Sequence, residues 1–182
     1  MHKGRRSQIF AAAFTFLLAL SFMVATPGAI SAAPQGSVQF ALRSLDGTTV
    51  TPESNRGRVV VLAFGATWLP LSKAQLQGLK QLADQYGAKG VTVYWVSTDS
   101  DSPKSKNYAS DEQIRAFVNK ANVQVTVLRD PDGAVSRQFG VDQLPAIVIL
   151  NKSGAVAGAP IGGLDPNRSL VDQIGPKLDQ LL

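Results

Sequence analysis

Val59-Val60-Val61-Leu62-Ala63-Phe64-Gly65-Ala66-Thr67-Trp68-Leu69-Pro70-Leu71-Ser72-Lys73-Ala74 is the stretch on which the fold turns. Its opening six residues are an unbroken apolar run of strand length, which describes a strand buried on both faces and central to a sheet. Pro70 suits the first position of a helix, where its missing N–H leaves no bond unmade. Leu76, Leu79, Ala83 and Tyr86 then recur at helical spacing until Gly87 and Gly90 end the pattern. The local order is strand, sharp turn, helix.

Working outward, Val38 to Leu42 alternates as a half-exposed strand does, and the Asp46-Gly47 turn after it predicts an opening hairpin. On the other side, Val91 to Val96 reads as a second buried strand, followed by a polar loop from Thr98 to Ala109. Ser110 and Gln113 have the spacing of a capping box, and Ile114, Phe117, Val118 and Ala121 form the apolar face of the next helix. A third strand is expected over Val123 to Leu128. Asp130-Pro131-Asp132-Gly133 then makes a turn into a short helical stretch ending near Phe139. Ala146 to Leu150 is a fourth buried strand, and Asn151 to Gly154 a hairpin turn into a weaker strand from Ala155 to Ile161. A last helix, capped at Asp165-Pro166, carries the stripe Leu170, Val171, Ile174, Leu178 and Leu181. Strands alternating with helices predict an α/β fold, a central mixed β-sheet flanked by helices on both faces with an N-terminal hairpin extension.

Composition narrows the chemistry. The chain has 182 residues, 18 Lys and Arg against 13 Asp and Glu, one His, two Met and no Cys. Lys3, Arg5 and Arg6 precede an apolar run from Ile9 to Ala25, and Ser31 and Ala33 offer a small-x-small cleavage site. Residues 1–33 therefore read as a signal peptide and 34–182 as one domain, in a periplasmic or equivalent extracytoplasmic compartment. An uncleaved anchor is the alternative, because the apolar run approaches the length of a short span. Arg5-Arg6 resembles a twin-arginine export signal only weakly, and a lipid anchor on cysteine is excluded. Without the leader the charge is +2, which gives no footprint for nucleic acid, and no membrane contact is expected after cleavage. His2, Met1 and Met23 leave with the leader, so the remaining chain has no Cys, His or Met. Thiolate nucleophiles, soft-metal sites and imidazole proton transfer are thereby closed off, and no cofactor is expected.

Phe64 to Ala74 resembles the active-site segment of periplasmic thioredoxin-like reductases of the TlpA and ResA type, whose pattern is F-W-A-T-W-C-P-P-C-R-A-E. Gly140-Val141-Asp142-Gln143-Leu144-Pro145, followed by Ala146 to Gly154, resembles that family's G-V-x-G-x-P-T-x-F-L-I-D-x-x-G. The resemblance runs from about Val38 to the C-terminus and implies a thioredoxin fold in which Pro145 is cis and faces Trp68 to Ser72. Both family cysteines are replaced, by Leu69 and Ser72. Ala63 stands where the family often has an Asp or Asn, Gln75 where it has a Glu, and Gln77 near a missing helix proline. Each polar aid to thiol chemistry is absent together with the thiols, so kinship with redoxins and AhpC/TSA proteins is expected without their catalysis.

Ser72 lacks a histidine base and is expected to cap or pack at the helix start. Asp99 and Asp101 form a weak oxygen-ligand pattern better read as a solvated loop. Trp68, Leu69, Pro70 and Leu71, with Leu144 and Pro145, are the candidate binding residues. They offer an apolar surface beside a strip suited to strand-like pairing with a protein or peptide partner. The opposite arrangement, Leu69 and Leu71 turned inward to seal a vacated site, remains open at this point. The competing functions are the thiol-disulfide oxidoreductase or antioxidant redoxin that the resemblance implies, and a structural subunit.

Overall fold

The computed structural model of the protein describes residues 38–165 and 167–182, so the expected leader lies outside the described residues. The elements in chain order are β1 (Leu42–Ser44), β2 (Thr49–Val50), β3 (Val59–Gly65), α1 (Leu71–Tyr86), β4 (Val91–Ser97) and α2 (Asp111–Lys120). They continue with β5 (Thr126–Arg129), α3 (Ala134–Gln138), β6 (Ala146–Leu150), β7 (Ile161–Gly162) and α4 (Leu170–Asp179). The strands form one mixed sheet in the order β2-β1-β5-β4-β3-β6-β7. β3 pairs in parallel with β4, and β4 with β5, while β6 runs antiparallel to β3 and β1 antiparallel to β5.

The apolar run that opens the reading is the middle of this sheet, with every residue of β3 buried. Strand alternation sends its side chains to opposite layers. Val59, Val61 and Ala63 pack with Leu76 and Leu79 of α1, Ile114 of α2 and Ile174 of α4. Val60, Leu62 and Phe64 pack with Leu42, Val135 and Phe139 on the other face. Each buried Val, Leu, Ile or Phe among them contributes about 1.5–3 kcal/mol by leaving water. Three helices therefore cover one face, and α3 with the opening hairpin covers the other. The α1–α4 contact is close: a Cβ on Gly78 would lie 2.6 Å from the Cβ of Leu170.

Four boundaries differ from the sequence expectation. The opening strand is Leu42–Ser44 in place of Val38 to Leu42, because the Asp46-Gly47 turn sets the register Leu42↔Val50 and Arg43↔Thr49. In that turn the Ser44 hydroxyl and then the Thr48 amide donate to Asp46, holding its carboxyl down at about 2. The third strand begins at Thr126, not Val123, since Thr126 is the first of these residues with a partner on β4, at Tyr94. Val123 is nevertheless buried, so its alternation reports burial without a ladder. The expected strand from Ala155 to Ile161 reduces to a bridge between Leu150 and Val156 and the short β7. Gly158 at φ 103° and Pro160, which has no N–H, interrupt it. The last helix is capped by Ser169, whose side chain accepts from the Asp172 amide at 3.0 Å, and not by Asp165-Pro166. The capping box at Ser110 and Gln113 forms as read.

Candidate functional site

β3 ends at Gly65, and Ala66 to Pro70 turn the chain into α1. Two turn bonds wind it, from the Leu69 amide to the Ala66 carbonyl and from the Ser72 amide to the Leu69 carbonyl, both 3.1 Å. Ser72 is fully buried, and its hydroxyl oxygen accepts from the Ala66 amide at 3.2 Å, so it packs at the helix start. Beneath it Gln75 is a bracket between three strands. Its Nε2 donates to the carbonyls of Phe64 (3.2 Å) and Ala146 (3.4 Å), and its Oε1 accepts from Trp95 Nε1 at 3.1 Å. An indole N–H can only donate, which fixes the orientation of the amide. An ionised carboxylate at this position could not donate to either carbonyl. Gln75 thus ties the strands together as a neutral amide. The bracket is tight against Gly65, where an added Cβ would lie 2.7 Å from Gln75 Oε1, 2.8 Å from Trp95 Nε1 and 3.0 Å from Ser72 Oγ.

Asp99 corrects the sequence reading. It is fully buried rather than solvated. Its carboxylate accepts the Thr67 amide on both oxygens (3.1 and 3.0 Å), the Thr67 hydroxyl at 2.7 Å and the Ser97 hydroxyl at 2.8 Å. Ser97 in turn accepts from Nη1 of the buried Arg129 at 3.0 Å, and Arg129 Nε lies 3.4 Å from Asp111, which also pairs with Arg43 at 2.9 Å. A polar chain therefore runs from the residue before Trp68, through the end of β4, to the start of α2. Sequence reasoning misread Asp99 because the polar run around it resembles a solvated loop; the available signal was its place two residues after a buried strand. Asp101 is exposed, and among the described residues no group of three or more His, Cys, Asp or Glu is arranged to hold a metal ion. Asp130 and Asp132 serve their turn, with Asp130 accepting from the Val135 and Ser136 amides at 3.0 and 2.8 Å.

Of the candidate binding residues, Trp68 is 52% exposed and Leu71 42%. Pro70 is exposed, Leu69 and Leu144 are half-buried, and Pro145 is buried. Neither tip leucine is turned into the core. The Leu144–Pro145 peptide bond is cis. The loop meets the tip on two sides: Leu144 and Val141 line a groove of about 360 Å³ with Trp68 and Leu69. Pro145 lines a slot of about 40 Å³ with Leu71, Ala74, Leu164 and Leu170. Among the described residues, no backbone hydrogen bond engages the amide or carbonyl of Leu144. The site offers apolar contact together with the amide and the carbonyl of Leu144. It holds no thiol, no imidazole and no exposed nucleophile in the place of either family cysteine.

Comparison with known proteins places this geometry. The soluble secreted antigen MPT53 of Mycobacterium tuberculosis is 30% identical over 129 residues, which are 71% of this chain and 67% of that protein. The thioredoxin-like protein YneN of Bacillus subtilis is 24% identical over 70% of this chain and 71% of its own length. The structure of MTB dsbF in its mixed oxidized and reduced forms superposes with a TM-score of 0.63 at 28% identity, covering 80% of this chain and 97% of that one. Since residues 32–159, most of the chain, match the AhpC/TSA family, this cysteine-free protein with a thioredoxin fold belongs to that family.

Proposed function

We propose that this protein is exported and binds an extended segment of a partner protein across the Trp68–Leu71 tip and the Leu144–Pro145 loop, without thiol chemistry. The observation that carries the reading is a pair of exposed apolar side chains beside the amide and carbonyl of Leu144, which have no backbone partner among the described residues. An exposed Trp and Leu on a rigid turn cost water-exposed apolar area that a contact would recover. The amide and carbonyl of Leu144 offer strand-like pairing. The buried anchors Ser72, Gln75 and Asp99 hold that surface in place before any partner arrives, which lowers the entropic cost of binding. Export is supported by the reading of residues 1–33 as a signal peptide and by similarity to a relative described as secreted.

Disulfide exchange needs a thiolate, so the purified protein is expected to reduce insulin no faster than buffer containing the same dithiol. A rate clearly above buffer would contradict this. The docking role is tested by affinity capture from the protein's own envelope extract, comparing wild type with a Trp68→Ala, Leu69→Ala variant. The expected result is a partner whose recovery falls roughly tenfold or more in the variant, the scale of a lost aromatic anchor. An identical set of captured proteins would overturn the assignment of this surface.

A further inference from the structure

We propose that Trp68 is the oxidation site of this domain: singlet oxygen adds to its indole, opens the ring and thereby releases what the tip holds. The last step rests on the docking role proposed above. From residue 34 onward the chain has no Cys, Met or His, the side chains that oxidants consume first. What remains for an oxidant are two Trp and three Tyr. Trp95 is fully buried and stacked on Phe117, and Tyr86 and Tyr94 are buried. Trp68, 52% exposed, and Tyr108, 39% exposed, reach solvent, and a phenol reacts with singlet oxygen far more slowly than an indole. Hypohalous acids would also chlorinate the lysine amines. Singlet oxygen, formed from dioxygen by a light-excited pigment, is therefore the oxidant that singles out Trp68.

The step balances without a further reagent. One oxygen atom bonds to each of C2 and C3 of the indole, the O–O and C2–C3 bonds break, and both oxygens remain as carbonyls. The indole is oxidised, dioxygen is reduced, and no proton or leaving group departs. The product, N-formylkynurenine, puts a ketone and a formamide where a flat apolar ring stood beside Leu69, Val141 and Leu144. Burying those polar groups in an apolar contact costs free energy unless each finds a partner. The anchors beneath the tip are a hydroxyl at Ser72, an amide at Gln75 and a carboxylate at Asp99, none of which singlet oxygen attacks. The contact is lost while its support stays folded.

The test illuminates the purified full chain with a soluble dye in oxygenated buffer, follows oxygen gain peptide by peptide over residues 34–182, and then offers the dye-free protein to a captured partner. The expected result is oxidation about tenfold faster at Trp68 than at Trp95 or Tyr108, quickened in deuterium oxide, where singlet oxygen lives longer, and suppressed by azide. Trp68→Phe, with a ring that singlet oxygen spares, should lose most of the gain. The unfolding midpoint should not move, and partner recovery should fall roughly tenfold, as for loss of an aromatic anchor. Equal rates at Trp95 or Tyr108, or a rate indifferent to azide, would overturn the site. Oxidised Trp68 with undiminished capture of a partner that the Trp68→Ala, Leu69→Ala variant fails to bind would overturn the release while leaving the docking role standing. Capture unchanged in that variant would overturn the docking role and the release with it, whereas selective oxidation at Trp68 is read separately, from the peptides alone.

Discussion

Asp99→Ala is expected to lower the stability of the domain by about 2–4 kcal/mol and to loosen the Trp68 tip. The carboxylate accepts from the Thr67 amide, the Thr67 hydroxyl and the Ser97 hydroxyl, and it is fully buried. A hydrogen bond to a charged group contributes about 1.5–3 kcal/mol, and a buried donor left without a partner costs about 1–3 kcal/mol. These terms overlap because the tip can partly relax into water, which keeps the total below their sum. Urea unfolding measures the loss, and faster exchange of the Thr67 amide reports the loosened tip. Asp101→Ala is the control: its side chain is exposed, so the change should stay within about 0.5 kcal/mol. Equal effects at the two positions would show that Asp99 anchors nothing.

Gly65→Ala is expected to destabilise by about 2–3 kcal/mol through overpacking. The new methyl would sit 2.7 Å from Gln75 Oε1 and 2.8 Å from Trp95 Nε1, two atoms already bonded to each other. Neither is the free end of a flexible side chain: Gln75 is tied to β3 and β6, and Trp95 is fully buried and stacked on Phe117 with ring centroids 5.8 Å apart. Thermal unfolding of Gly65→Ala, alone and combined with Gln75→Ala, separates the clash from a backbone effect. The pair should be less destabilised than the sum of the singles, because removing the carboxamide removes the nearest of the obstructing atoms. Strict additivity would place the cost elsewhere.

The elements legible in the sequence were those whose signal is local and strong. Val59 to Phe64 and Ala146 to Leu150 could hardly be other than buried strands, and Ser110 with Gln113 stated its own helix start. The cis bond at Pro145 was legible only through the resemblance, since nothing in Leu144-Pro145 alone distinguishes cis from trans. Boundaries failed where burial and pairing part company. Val123 alternates because it is buried, yet β5 starts at Thr126, where β4 first supplies a partner. Ser169 prevailed over Asp165 because a cap is decided by which side chain reaches the first free amides. Asp99, read as part of a solvated loop, was the largest misreading: its partners are a residue 32 positions earlier and a hydroxyl two before it, and sequence spacing carries no trace of the first. The candidate tip was legible as an apolar stretch, but its exposure was not, because Leu69 and Leu71 fit an inward turn as well as an outward one.

The central claim is that a partner covers the tip and pairs with the loop before Pro145. Hydrogen–deuterium exchange of the protein, alone and after reconstitution with a captured partner, measures this directly. Protection is expected in two places only, across residues 66–72 and at the Leu144 amide, which has no backbone partner among the described residues. Protection confined to another surface, with the Leu144 amide exchanging as fast in the complex as alone, would contradict it.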